Sequence, residues 1–596
     1  MNLSEKIYQF IINSIIFLLL GATLTQSKMF LSPSAFSYYG YHIIGGILLL
    51  VAGLSIFKIK RAIEISNVIP VALFALYALF NVANSYGLYP YPSTALIAHL
   101  LLFLCYLLLF SNFRLDFLDI ARIFCIIALL ESGLCIAQFF DLFSLQGKIF
   151  KVHGSLSNPN YITMFLAMLF PSLLYSYKEE KGIWRFIAIA SILFSAISLI
   201  LLQCRTAFIG VFIAVIYLQG VQNNWKSIIL GKIKEISTLP RILIVTALLS
   251  LFSISAIGLY QFKKDSTEGR LLIAKLAWQL GMEKPILGQG LGAFEQKYNL
   301  TQAAYFECGG ASEKEIFTAS HVKTPYIEYL LIFIESGIVG LLLFIAFFLF
   351  LLLSDLQKEQ KSKQFQAAYA GILAFSVMAL SNFVFAITAV VAIFVIYAAF
   401  LSSFETNFSK KIILQRNHVF SLAILMILLG GAFGTYQYVM ADAFIKVKKA
   451  SYLIKKEKYE QAIQLLDNQK EQLYFSDQWL INYGWVYQCA GNYSSALEKY
   501  QIAEKYTSDP ELFMDMSFCY AKLHRFDEAM QKCSTALYIA PNRIQSRYML
   551  MNIFLEKKDT LSAEKVAKEI MAQTPKGISK NAPFYKEEAR KLLENH

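Results

Sequence analysis

KKDSTEGRLLIAKLAWQLGMEKPILGQGLGAFEQKYNLTQAAYFECGGASEKEIFTASHVK, residues 263–323, is the one long polar stretch in the first 440 residues. Apolar runs flank it at 241–262 and 324–353, and others fall near 7–24, 41–57, 68–86, 93–110, 119–140, 158–177, 184–202, 205–220, 365–382, 384–404 and 417–438. Most are long enough, at roughly 18–22 residues, to cross about 30 Å of hydrocarbon as helices. The sequence therefore predicts an all-α fold with a polytopic membrane bundle of 12–13 helices over 1–440. Its two tightest junctions fall around 203 and 383. A loop of this length between two spans is expected to carry function.

Short-loop cations set the orientation. Lys58, Lys60, Arg61, Arg114, Lys178, Lys181, Arg185, Lys226, Lys232, Lys234, Arg241, Lys358, Lys361, Lys363, Lys410, Lys411 and Arg416 fall on one side. The alternate short loops hold Lys28, Lys148, Lys151 and Arg205. Seventeen against four places the N-terminus in the cytoplasm. The 263–323 loop and the C-terminal region then lie outside. The chain is 57% apolar, 16% charged and carries a net charge of +13. Much of that charge is spent on topology, which argues against nucleic acid as a partner. The eight cysteines show no CxxC or metal spacing, and Cys105, Cys125 and Cys135 sit in apolar runs as small core residues. The first apolar run lacks a small-residue cleavage site and reads as the first span.

Residues 441–596 return to soluble composition and repeat. KYEQAIQLL, NYSSALEKY, RFDEAMQKC and TLSAEKVAK align on Ala462, Ala496, Ala529 and Ala563, spaced 34, 33 and 34 residues apart. Pro510, Pro541 and Pro575 are expected to close successive units. The period resembles the tetratricopeptide repeat, in which paired helices stack into an α-solenoid. Such a domain is either a binding surface for a peptide or partner protein, or a structural lid.

Several residues can carry chemistry. Arg205 starts a span on the side where short-loop cations are scarce, either as a snorkelling side chain or as a fork for a diphosphate. Arg270 opens an amphipathic segment, with Trp278 as an interfacial anchor, where helix N–H groups and a guanidinium can meet one anion. KPILGQGLGAF (284–294) lacks the preceding strand of a dinucleotide fingerprint and reads as a tight turn. HVKTPYIEYLLIFIESG leads into the next span, with Pro325 expected in its first helical turn, beside Tyr326, Glu328 and Tyr329. His321 or a carboxylate there can take a proton from an acceptor hydroxyl. Glu335 lies deeper, where pairing with a cation is expected. Asn158-Pro159-Asn160 reads either as a capped helix start or as asparagines for sugar and phosphate oxygens.

The order of these features is similar to that of the O-antigen ligase/polymerase superfamily, which includes bacterial protein O-oligosaccharyltransferases. The likeness covers roughly 150–400: the Asn-Pro-Asn start, the span-opening arginine, G-R…P-I-L-G-x-G-x-G-x-F, and the Y-x-x-x-L-x-x-x-E-x-G-I-x-G-L-like run. It implies a GT-C-like fold in the bacterial inner membrane, with the loop and the C-terminal domain periplasmic. It also implies en bloc transfer of a glycan from undecaprenyl diphosphate to an acceptor hydroxyl, with no cofactor beyond that lipid-linked donor. Arg205 and Arg270 match the arginines that hold the diphosphate. Asn158, Asn160, Tyr326 and Tyr329 are the expected substrate contacts. The family's His-Asn falls here on Tyr326 and Ile327, counting back from Glu335 through Tyr329, so His321 comes five residues early. The base is His321, Glu328 or no protein group. No metal-ligand cluster is visible, and metal-free chemistry is expected. The acceptor is a lipid A-core sugar, another repeat unit or an exported protein. Competing classes are a flippase of lipid-linked sugars and a membrane-anchored scaffold without catalysis. The first would show paired internal repeats, and the second leaves the loop arginines unexplained.

Overall fold

A computed structural model describes residues 3–57, 62–65, 67–85, 90–113, 115–143, 150–223, 264–353, 362–405, 411–574 and 581–594. The predicted run at 241–262, Pro575 and the cations Lys58, Lys60, Arg61, Arg114, Lys148, Lys226, Lys232, Lys234, Arg241, Lys358, Lys361 and Lys410 lie outside the described residues. The other twelve runs are helices. The first eight are α1 (Leu3–Leu24), α2 (Ala35–Phe57), α3 (Ile69–Ala83), α4 (Pro90–Asn112), α5 (Phe117–Phe139), α6 (Pro159–Glu179), α7 (Gly182–Leu202) and α8 (Arg205–Gln222). The polar loop folds as α9 (Lys264–Glu283), α10 (Phe294–Glu307) and α11 (Glu313–Thr318). The bundle closes with α12 (Glu328–Leu353), α13 (Lys363–Ala379), α14 (Thr388–Ser402) and α15 (Arg416–Ile454). Eight helices are long and apolar enough to cross a membrane by length and composition. The protein is an all-α, multi-pass membrane protein.

The bundle has an inside and a periphery. Every residue of α14 from Ala389 to Ser402 is buried, and α6 is buried without interruption from Ile162 to Leu173. Helices apolar on all faces belong at the centre of a bundle, whereas α7 and α8 turn Ile200, Phe186 and Phe212 outward toward lipid. Polar contacts sort the connections onto two faces. On one, β1 (Ile63–Ile65) pairs antiparallel with β2 (Ile412–Leu414), Arg122 meets Glu180 at 2.6 Å and Lys363 meets Glu179 at 2.7 Å. On the other, Ser157 meets Gln26 at 2.5 Å, Asn84 bonds the carbonyl of Leu287 at 2.5 Å and Asn382 bonds Thr206 at 3.0 Å. These are the two sets of loops that a strictly alternating chain would generate.

The closest helix pair is α2 with α15. A methyl group on Gly46 would lie 2.8 Å from the carbonyl of Gly430, and one on Gly53 would lie 2.9 Å from that of Ala423. Small residues let these backbones touch, because in lipid close packing replaces the hydrophobic effect as the driving force between helices. Gly46→Leu should therefore separate the pair and lower the detergent melting temperature, measured by size-exclusion fluorescence, while Gly431→Ala, where a methyl meets nothing within 4 Å, should not.

Helix α15 is 39 residues, about 58 Å at 1.5 Å per residue, and so outruns the hydrocarbon by roughly half its length. The boundary expected at 440/441 falls inside it. Its last turns, through Phe444, Val447, Ala450 and Ile454, pack on Ala462, Leu473 and Trp479. The C-terminal domain thus starts on the last membrane helix with no linker. It continues as α16 (Tyr459–Asp467), α17 (Lys470–Leu473), α18 (Asp477–Cys489), α19 (Tyr493–Ala503), α20 (Pro510–Lys522), α21 (Phe526–Ile539), α22 (Ile544–Glu556), α23 (Thr560–Ala572) and α24 (Ala582–Glu594). Each helix packs on its neighbours in the chain in the order pair, pair, pair. Ala462, Ala496, Ala529 and Ala563 are all fully buried at the helix crossings. Pro510 opens α20 after the cap Asp509 and does not close the preceding helix, which already ends at Ala503. Cys105, Cys125 and Cys135 are buried, as are Cys204, Cys519 and Cys533, while Cys308 and Cys489 are exposed.

Asp515, partly covered between helix pairs, has its carboxyl pushed up to about 7 by burial, against a hydrogen bond from Gln488. A carboxyl raised in the folded state favours folding in its protonated form. Its contribution is full below the ordinary aspartate range near pH 4 and is lost as pH rises through about 7. Asp515→Asn should raise the melting temperature of the full chain at pH 8 and leave it near wild type at pH 4.

Candidate functional site

Two features in the polar loop fix its geometry. The turn Pro285–Gly290 inserts into a break in α12. Gly337 adopts φ 62° and ψ −167° inside that helix, which frees backbone groups on both sides of it. The loop takes them up: the N–H groups of Gln289 and Gly290 donate to the carbonyls of Ile334 (2.7 Å) and Glu335 (2.9 Å), and the N–H of Ile338 donates to Pro285 (2.8 Å). Gly288, Gly290 and Gly292 have φ of 78°, 105° and 83°. The expected tight turn is therefore a plug, and the two motif runs at 285–292 and 335–340 pair with each other. Glu335 is not paired with a cation, since its carboxylate accepts the N–H of Phe294 at 3.3 Å. Irregular backbone within a span is tolerated where protein satisfies it, as here.

The second feature is a strap, residues 319–327. Helix α12 begins at Glu328, so Pro325 lies before it and not in its first turn. Proline disfavours helical geometry in the preceding Thr324. Side chains of α10 saturate the strap's backbone: Asn299 accepts the N–H of Val322 (2.9 Å) and donates to its carbonyl (2.9 Å), and Gln302 donates to Ser320 (3.0 Å). Both ends of the strap flank Arg270. A methyl on Gly269 would touch Thr318 at 3.6 Å, and Tyr326 lies under the Arg270 guanidinium at 4.4 Å from its ring centroid. His321, three residues from Thr318, is thus within about 10 Å of chain reach from the Arg270 turn.

The arginines converge on Ser381-Asn382-Phe383, the short link after α13. Arg270 Nη1 donates to the carbonyl of Ser381 across a long 3.5 Å. Asn382 Nδ2 and Ser381 Oγ approach Thr206 Oγ1 at 3.0 and 3.4 Å, which sets the first turn of α8 and its Arg205 against the same link. Phe383 lies between the rings of Tyr161 (5.6 Å) and Tyr326 (5.5 Å). Tyr161 belongs to the first turn of α6, so the Asn-Pro-Asn start reaches the site as well. Asn158 caps α6, accepting the N–H of Asn160 at 2.9 Å, and Pro159 occupies the first helical position. The site therefore gathers two guanidinium groups and the N-termini of two helices, α6 and α8. This combination attracts and orients anions. Arg270 opens onto a cavity of about 170 Å³ with Pro325, Tyr326, Leu380 and Ser381.

The remaining expected residues occupy distinct places. Tyr329 turns its hydroxyl to the carbonyl of Ser376 (3.2 Å), joining α12 to α13. Glu328 is buried: one oxygen accepts the N–H of Phe385 at 3.2 Å, and the other has no hydrogen-bond partner. It lines an apolar cavity of about 220 Å³ behind the 381–386 link, shared with Tyr77, His99, Glu335, Phe344 and Phe394. His321 sits on the outer side, its Nε2 2.9 Å from Glu295 Oε1. The sequence reading missed Thr206, Ser381 and Asn382. The available signal was two polar residues and a span-opening Arg-Thr at the two tightest junctions, now joined by a hydrogen bond.

The family model described as O-Antigen ligase matches residues 190–345, from within α7 to within α12. The matched part is an O-antigen ligase superfamily domain. Within this ligase-family domain lie Arg205, Arg270, the plug, the strap and His321; the Ser381 link and the first turn of α6 complete the site from outside the matched stretch. No curated protein matches the chain significantly. Among the described residues, no group of three or more His, Cys, Asp or Glu is placed to hold a metal ion.

Proposed function

We propose that the protein is an O-antigen ligase-like glycosyltransferase of the bacterial inner membrane. It moves a glycan en bloc from undecaprenyl diphosphate to an acceptor hydroxyl at the periplasmic face. The observation that carries this reading is the convergence of Arg205 and Arg270, 65 positions apart, on one link at the outer mouth of an apolar bundle. A lipid diphosphate needs a cationic fork beside hydrocarbon, and this site supplies both. The acceptor hydroxyl attacks the anomeric carbon with inversion, the glycosidic oxygen leaves with the diphosphate, and the arginines stabilise the leaving charge. His321 takes the hydroxyl proton. The positive-inside bias sets this face outward.

The first acceptor proposed is a lipid A-core sugar. The C-terminal helix pairs, read as tetratricopeptide-type repeats, lie against the loop, where they can seat a protein partner or an exported acceptor protein. A deletion strain separates these acceptors. Loss of long glycan from lipopolysaccharide is expected for a ligase. Single-unit glycan would point to a polymerase, and underglycosylated proteins with intact lipopolysaccharide to an oligosaccharyltransferase. An unchanged glycan pattern together with loss of lipid-linked sugar translocation would favour the flippase and overturn the proposal.

A further inference from the structure

We infer that Glu295 is the positioning residue for His321, and that Thr507 of the C-terminal domain completes this arrangement from outside the membrane domain. The inference rests on the transfer reaction proposed above and assigns its base a holder. Glu295 Oε1 receives two donors, His321 Nε2 at 2.9 Å and Thr507 Oγ1 at 3.0 Å. An ionised carboxylate only accepts, so the hydrogen bond assigns the imidazole proton to Nε2 and leaves the Nδ1 lone pair for a substrate proton.

The holder is itself fixed. Ser508 Oγ donates to the backbone carbonyl of Glu295 at 2.8 Å, and Thr507 and Ser508 are both buried. Further along α10, Gln302 donates to the carbonyl of Ile539 at 2.7 Å, and Leu300 and Ala303 pack on Phe513, Met514, Ala536 and Ile539. Asn542 donates to the carbonyl of Phe317 at 2.9 Å and to that of Ala319, at the start of the strap. The C-terminal domain thus grips α10 and the strap at once, and does so at the residues nearest the base. A spacer or lid has no need to reach the carboxylate oxygen that meets the histidine.

The charged groups around the pair are Asp477 and Asp509, at the starts of α18 and α20, and Lys323 on the strap. Asp477 is pushed up to about 6 by burial first and by the Glu295 charge second. Removing the negative charge beside an imidazolium lowers its pKa, and removing a donor from the carboxylate makes that oxygen more basic and raises it. The two substitutions should therefore move the acid limb of the rate in opposite directions.

The test follows glycan transfer from lipid-linked donor against pH with the full chain in lipid nanodiscs, in parallel with the His321 imidazole titration by NMR, assigned with His321→Gln. Glu295→Gln should lower the plateau about tenfold and shift both acid limb and imidazole down by roughly one pH unit. Thr507→Val should shift both upward by a fraction of a unit, and Thr507→Ser should restore the wild-type profile. Asp477→Asn should leave the limb within a few tenths of a unit. If Glu295→Gln does not fold, the Thr507 pair alone carries the test. An imidazole that moves while the limb stays put would overturn the role in the reaction, and an imidazole that stays put would overturn the pairing. Wild-type protein without transfer would instead strike the proposed function, which the NMR titration does not depend on.

Discussion

Arg270→Ala is expected to abolish glycan transfer, by at least about a hundredfold, while the protein stays folded in detergent. The size follows from the role: one preorganised donor aimed at developing negative charge contributes on the order of 10²–10³ in rate. The fold should survive because Arg270 makes only a long bond to the Ser381 carbonyl and a cation–π contact with Tyr326. Arg270→Lys keeps the charge and loses the planar fork, so it should recover only part of the activity. Tyr326→Ala removes the surface on which the guanidinium rests and should cost less, roughly tenfold, chiefly in the donor KM. Initial rates with purified lipid-linked donor measure all three. Near wild-type rates for Arg270→Ala would show that the loop arginine does not touch the diphosphate.

The second large effect is structural. Gly288→Ala should prevent accumulation of folded protein. An added methyl would lie 2.4 Å from the carbonyl carbon and oxygen of Glu335 and 2.6 Å from the nitrogen of Gly337, all backbone atoms of a span and unable to retreat. A φ of 78° adds strain of about 1–3 kcal/mol for any residue with a Cβ. Gly337→Ala meets the same difficulty from the other side, with a methyl 2.2 Å from the carbonyl oxygen of Ile286. Gly309→Ala is the fitting control: its φ of 75° carries similar strain, but nothing lies within 4 Å of the added carbon. Membrane yield and melting temperature of the three variants separate close approach from φ strain alone. Equal losses at all three positions would refute the plug.

Most of the bundle was legible from apolar run length, because a span must bury its own backbone bonds and so announces itself over about 20 residues. The repeats were legible through the spacing of Ala462, Ala496, Ala529 and Ala563, whose small size is demanded at each helix crossing. The start of α12 was not legible. Thr324-Pro325 was compatible with a helix start, and the side chains that hold the strap extended, Asn299 and Gln302, come from more than 17 residues away. The boundary at 440/441 failed to show for a related reason: composition changes there while α15 does not break.

The site was half legible. Arg205 and Arg270 stood out because cations are scarce where they lie. The Ser381-Asn382 link that joins them did not, since two polar residues at the end of an apolar run look like any loop. The partner of His321 was hidden altogether, because Glu295 is one of several acids on a polar helix and Thr507 belongs to another domain. Such long-range pairs leave no local trace in a sequence.

The central claim is that Arg205 and Arg270 form one diphosphate site. A double-mutant cycle on the affinity for undecaprenyl diphosphate in nanodiscs, with Arg205→Ala, Arg270→Ala and the pair, tests it most directly. Two groups on one bound anion should be coupled by at least about 1 kcal/mol, so the double variant should bind more tightly than the sum of the single losses allows. Additive losses, or a diphosphate affinity unchanged by either substitution, would contradict it.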